Sequence, residues 1–114
     1  MIKIVEQSLL YDFYGELLNE HQKKIYEDVV FNDMSPSEIA REEGISRQGV
    51  HDLVKRCDKI LSDYEEKLHL VERVMNVKRD ADHIKDLLQK FRETDDTGLI
   101  DEIEEVTDKI LSEI

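Results

Sequence analysis

The sequence predicts an all-α protein, and three observations predict it. Of its 114 residues, 39% are charged, one is Pro and four are Gly, a balance that favours helices joined by short loops. Apolar residues recur three and four apart along most of the chain, the period of a helix with one buried face. Cap residues then interrupt that pattern at helix-length intervals. A chain of this size makes one ordinary domain with a modest core, so residues 1–114 are expected to fold as a single domain.

The elements follow in order. From Ile2 to about Leu18, the residues Val5, Leu9, Leu10, Phe13, Tyr14 and Leu17 fall at helical spacing and predict a first helix. Asn19 with Gln22 three places on reads as a capping box, and Ile25, Val29 and Val30 then form a buried stripe up to Phe31. A second box has Ser35 as N-cap, Pro36 at the first helical position and Glu38 at the third, its carboxylate able to return a bond to the cap. That helix stops at Gly44, the residue that best tolerates a left-handed C-terminal turn. Ser46 caps a long fourth helix with Val50, Leu53, Val54, Cys57, Ile60, Leu61 and Tyr64 on one broad face, and a break is placed between Lys67 and Leu70. A fifth helix carries Leu70, Val71, Val74, Met75, Val77, Ile84, Leu87, Leu88 and Phe91 as its apolar positions. The stretch ETDDTG ends it, and a last helix turns Leu99, Ile103, Val106, Ile110 and Leu111 inward. Within the domain, residues 19–67 form a core unit and residues 70–114 an acidic helical extension.

The net charge of -12 is spread unevenly. Residues 1–34 carry three basic and seven acidic side chains, residues 35–62 five of each, and residues 63–114 eight basic and sixteen acidic. The middle is thus the least acidic part. The opening MIKIVEQSLLYDF has neither a basic leader nor a long apolar core, and no apolar run approaches the roughly 18 residues of a membrane span. A soluble chain without an export signal is expected. The single Cys57 leaves no internal disulfide, in keeping with a reducing cytoplasm.

The middle segment meets the steric demands of a helix-turn-helix. Ala40 is small where two helices cross, Gly44 supplies the tight turn, and Val50 six residues further pins the second helix on the first, with Ile39, Ile45 and Leu53 completing a miniature core. In such a unit the N-terminal outward residues of the second helix face base edges, here Arg47, Gln48, His51 and Asp52, with Lys55, Arg56 and Lys59 further along. Arg pairs with guanine and Gln with adenine through two hydrogen bonds each. The same spacing also serves a helical hairpin that is pure scaffold with a solvated basic face.

The segments LLYDFYGELL and LNEHQKKIYEDVVFNDMSPSEIAREEGISRQGVHDLVKRCDKILSDYEEKL resemble the small YlxM-type proteins of Gram-positive bacteria. That group is described as helix-turn-helix proteins associated with the signal recognition particle. The resemblance covers roughly residues 5–70 and implies a bundle whose helix-turn-helix is similar to region 4 of sigma factors, followed by acidic C-terminal helices. It also implies a setting in protein targeting, because the family's genes lie beside those of the particle's GTPases. The recognition segment carries over as Ile45 to Arg56; no catalytic residue does. His69 departs from the pattern, where Gly is expected.

No constellation points to an enzyme, and no cofactor or metal is expected. His21, His51, His69 and His83 are scattered, and Cys57 lies on an apolar face, where packing explains it. Asp80, His83 and Asp86 share a helix face, but a solvated surface is the better reading of that trio. Two functions remain. One is a nucleic-acid-binding regulator that contacts DNA or signal-recognition-particle RNA through Arg47, Gln48, His51, Lys55, Arg56 and Lys59. The other is a protein-interaction module binding a basic component of that particle, with the helix-turn-helix as scaffold. A homodimer is expected in either case, because the apolar positions after Leu68 exceed what one thin helical layer hides.

Overall fold

The computed structural model describes residues 4–113, and every regular element among them is helical. Helix α1 spans Ile4–Tyr14 and runs into a 3-10 turn at Gly15–Leu17; then come α2 (Glu20–Val30), α3 (Pro36–Glu43), α4 (Arg47–Leu68), α5 (Leu70–Thr94) and α6 (Gly98–Glu113). The chain divides into two compact units, one ending at His69 and the other beginning at Leu70. The all-α expectation is met.

Caps set the boundaries. The Asn19 box is complete: Gln22 N donates to Asn19 Oδ1 at 2.8 Å and Asn19 N donates to Gln22 Oε1 at 3.0 Å, satisfying two amides that the helix leaves over. At α3, Glu38 N donates to Ser35 Oγ at 3.1 Å, and the Ser35 hydroxyl, rather than its amide, bonds the Glu38 carboxylate at 3.2 Å. Gly49 N donates to Ser46 Oγ at 2.9 Å to open α4. Gly44 stands at φ 69°, ψ 31°, the left-handed region where a side chain is strained. The expected break after Lys67 falls at His69, itself left-handed at φ 55°.

The first helix is shorter than expected. Its α-helical turns stop at Tyr14, and Leu18 is already extended; a Cβ at Gly15 would stand 3.0 Å from the Tyr11 ring, so the chain turns there on a residue without one. Ile2 lies outside the described residues. Val5, placed on the buried face by spacing, is 68% exposed, while Leu10 and Tyr14 go inside.

In the first unit Ile25, Ile39, Ala40 and Val50 form a buried cluster with Val29, Met34, Ile45, Leu53 and Val54 packed around it. This is the expected miniature core with α2 added as a third wall. Tyr14, Tyr26, Cys57 and Leu61 are buried as well. Three tyrosine hydroxyls end on carboxylates: Tyr26 donates to Asp58 at 2.5 Å, Tyr14 to Glu65 at 2.6 Å and Tyr11 to Glu27 at 2.7 Å. Asp58 also accepts from Gln7 Nε2 at 3.2 Å. Such bonds satisfy polar tips that burial would otherwise penalise.

The second unit is a hairpin of α5 and α6. Asp96 Oδ1 accepts from Gly98 N at 2.9 Å in the turn. Leu87 is buried, and so is Asp80, whose Oδ1 accepts from Lys109 Nζ at 3.2 Å. The short turn between Thr94 and Gly98 makes the helices antiparallel, and this contact places Asp80 and Lys109 at about the same level. Leu111, expected to face inward, is 65% exposed: it lies one residue past Ile110, and the turn of about 100° per residue carries it off the packed side.

Candidate nucleic-acid interface

Helix α4 turns Val50, Cys57 and Leu61 into the core, and a helix that buries one stripe must expose the opposite one. Arg47, Gln48, His51, Lys55, Arg56 and Lys59 are all exposed, as is Asp52. The structure therefore brings all six predicted side chains to the outer surface of one helix, within its first four turns. They are not equivalent. Gln48, Lys55 and Lys59 form the crest, Arg47 and His51 one shoulder, and Arg56 the other.

Local contacts separate the side chains further. Gln48 Nε2 donates to Asp52 Oδ1 at 3.0 Å, and Lys59 Nζ pairs with Asp63 at 3.1 Å. Both are exposed one-turn contacts of the kind worth a few tenths of a kcal/mol, about 0.2–0.5, so a ligand displaces them at little cost. Arg47, Lys55 and Arg56 enter no ion pair among the described residues. On α3, Glu43 is occupied by Lys24 at 2.7 Å, a pairing that raises the Lys24 pKa through that hydrogen bond. It leaves one fewer free carboxylate near the turn.

Arg56 also lines a cavity of about 440 Å³ with Asn19, His21, Gln22, Ile45, Gly49, Asp52 and Leu53. In sequence, Asn19 and Gln22 read only as cap residues and His21 as one of four scattered histidines, and Gly49 carries no signal. The fold seats the N-terminal turn of α2 beside α4, so these polar groups flank Arg56. No local signal announces this, because it depends on how α2 packs on α4.

Cys57 is fully buried, and burial, with the Asp58 carboxylate beside it, pushes its thiol up to about 11. A thiol held protonated is a packing group rather than a nucleophile. Asp80 turns to Lys109 while His83 and Asp86 are exposed, so the trio does not converge. Among the described residues no helix is long and apolar enough to cross a membrane.

Comparison with known proteins accords with this geometry. The family model described as "Putative helix-turn-helix protein, YlxM / p13 like" matches residues 1–107. A UPF0122 protein of Thermoanaerobacter is 42% identical over 104 residues, covering 90% of this chain and 89% of the relative. Relatives of the same name come from Clostridium kluyveri, 35% identical over 99 residues with 87% and 89% covered, and Clostridium acetobutylicum, 42% over 101 residues with 85% and 87% covered. With a helix-turn-helix formed by α3 and α4 and a family match across nearly its whole length, the chain belongs to the YlxM/p13-like helix-turn-helix family.

Proposed function

We propose that this protein is a non-enzymatic, cytoplasmic, nucleic-acid-binding regulator that acts as a homodimer in the signal-recognition-particle pathway. In this reading α4 enters a groove of DNA or lies against the particle's RNA. One observation carries it: Arg47, Gln48, His51, Lys55, Arg56 and Lys59 are all exposed on a helix whose other face is locked into the core and whose start is fixed by the Ser46 cap. Gln48 is the base reader, and Arg47, Lys55, Arg56 and Lys59 are the phosphate contacts. The net charge of -12 repels nucleic acid at long range, but over a Debye length of about 8 Å the local cations dominate. The family's association with protein targeting supplies the setting.

The test is a titration of DNA and of signal-recognition-particle RNA against salt. With Arg47, Lys55, Arg56 and Lys59 on phosphates, the logarithm of affinity falls with the logarithm of salt at a slope of about -3 to -4. Lys55→Ala flattens that slope by about one unit. Removing residues 95–114 would also strip the covering from α5, so the repulsion is better tested with Glu102→Gln and Glu105→Gln, two exposed carboxylates of α6, which tighten binding. Failure to bind either nucleic acid at low salt, together with capture of a basic protein of the particle, makes the helix-turn-helix a scaffold.

A further inference from the structure

From Val74 onward helix α5 repeats every seven residues. Apart from Met75, 46% exposed and off this pattern, its apolar residues there fall into columns: Val74, Ala81 and Leu88; Val77, Ile84 and Phe91; and a third column holding Asp80 and Leu87. In the α5–α6 hairpin the third column is buried and the second half-buried, but the first is bare, with Val74 46% and Leu88 42% exposed. On α6 the same split occurs. Leu99, Ile103, Val106 and Ile110 are half-buried, while Ile100 at 48% and Leu111 at 65% stand clear. At about 100° per residue the bare positions turn away from the seam in the same sequence sense on both helices. Because the helices are antiparallel, that sense brings them to one broad face, and the Asp80–Lys109 pair falls on the other.

Charge flanks this face asymmetrically. Along its α5 edge runs the next column of the repeat, Lys78, Lys85 and Arg92; along its α6 edge stand Asp101, Glu104 and Asp108. All six are exposed, and none forms an ion pair among the described residues. The whole of α5 carries six basic and five acidic side chains, whereas α6 carries one basic and six acidic. An apolar centre with a basic rim on one side and an acidic rim on the other is complementary to itself.

We propose that this face docks a second copy of the chain, giving an antiparallel four-helix bundle about a two-fold axis parallel to the helices. That axis lays α5 of each protomer over α6 of its partner, so both basic rims meet acidic ones and the bare columns become an interior. A two-fold axis perpendicular to the helices and lying between the faces would instead stack α5 on α5 and set Lys78, Lys85 and Arg92 against their own copies. Asp80 lies level with Lys109, so Lys85 lies level with Glu104 and is the pair that closes the rim. The proposal rests on the homodimer reading above and names its surface; it does not depend on nucleic-acid binding.

Sedimentation and cross-linking of the full chain test it. The wild-type chain sediments as a dimer at micromolar concentration. Lys78→Glu with Lys85→Glu, and separately Glu104→Lys with Asp108→Lys, each weakens the dimer about tenfold or more, and mixing the two variants restores it as a heterodimer. Under mild oxidation Lys85→Cys cross-links to Glu104→Cys in a mixture of the two, and neither variant cross-links to itself; Cys57, fully buried, stays out of the reaction. A wild-type monomer of helical circular dichroism overturns the homodimer and this face together. A dimer in which Lys85→Cys cross-links to itself, or which ignores both charge reversals, leaves the homodimer standing and overturns the face.

Discussion

The two units of this chain are both helical, yet they bury very different amounts of themselves. Up to His69, Leu10, Tyr14, Leu18, Ile25, Tyr26, Val30, Ile39, Ala40, Val50, Cys57 and Leu61 are all inside. From Leu70 onward, among the described residues, Leu87 is the one buried apolar side chain. Four helices packed on one another enclose a volume, whereas two helices side by side enclose a line. The first unit therefore owes its stability to its own interior, whereas the second leaves Val74, Leu88, Ile100 and Leu111 exposed, on the face proposed above to dock a second copy.

Truncating one apolar side chain in each unit has the largest expected effect. Ile25→Ala leaves a cavity in the closed cluster and costs about 2–5 kcal/mol. Leu88→Ala removes a side chain already 42% exposed and costs the monomer less than about 1 kcal/mol, showing its effect in association instead. Urea titrations followed by tyrosine emission read the first unit alone, since Tyr11, Tyr14, Tyr26 and Tyr64 all precede His69, and far-ultraviolet circular dichroism adds the helices of the second. Equal losses at the two sites would show that the second unit has an interior of its own.

Alkaline pH separates the units next. Burial first, then the bonded carboxylates of Asp58 and Glu27, raises the hydroxyl pKa values of Tyr26 and Tyr11, and burial raises Cys57 to about 11. Each group holds its proton more firmly folded than unfolded. The stabilisation is complete below the ordinary thiol value near 9 and is lost as pH rises towards about 11; for Cys57 it is on the order of 2 kcal/mol. Residues 70–114 contain neither Tyr nor Cys. Tyrosine emission should therefore report a falling urea midpoint across this window.

The smallest effect sharpens the view of the turn. Gly44 is left-handed, and a Cβ there meets nothing within 4 Å, so Gly44→Val costs only backbone strain, about 1–2 kcal/mol. A denaturation midpoint that does not move would mean that Gly44 does not set the turn.

What could be read beforehand follows from the range of each interaction. The caps at Asn19, Ser35 and Ser46, the stop at Gly44 and the outward set on α4 are decided within one or two turns, so the local pattern reveals them. The tyrosine–carboxylate bonds join residues as far apart as Tyr14 and Glu65, and the cavity beside Arg56 needs α2 to be in place; neither has a local signature. Leu111 is exposed although it reads as inward, because an apolar residue beside a stripe looks like part of it. The contrast in charge between α5 and α6 depends on where the two helices end, because a sum over residues 63–114 merges a near-neutral helix with an acidic one.

Cys57 finally gives this chain an internal clock. As its one thiol, sealed in the interior of the first unit, it meets an alkylating reagent only in molecules whose first unit has opened. When closing outruns modification, the labelling rate is that of a free thiol multiplied by the fraction open. The chain as it stands therefore reports how often its helix-turn-helix unit comes apart, and a ligand held by the closed unit slows the labelling in proportion to its occupancy.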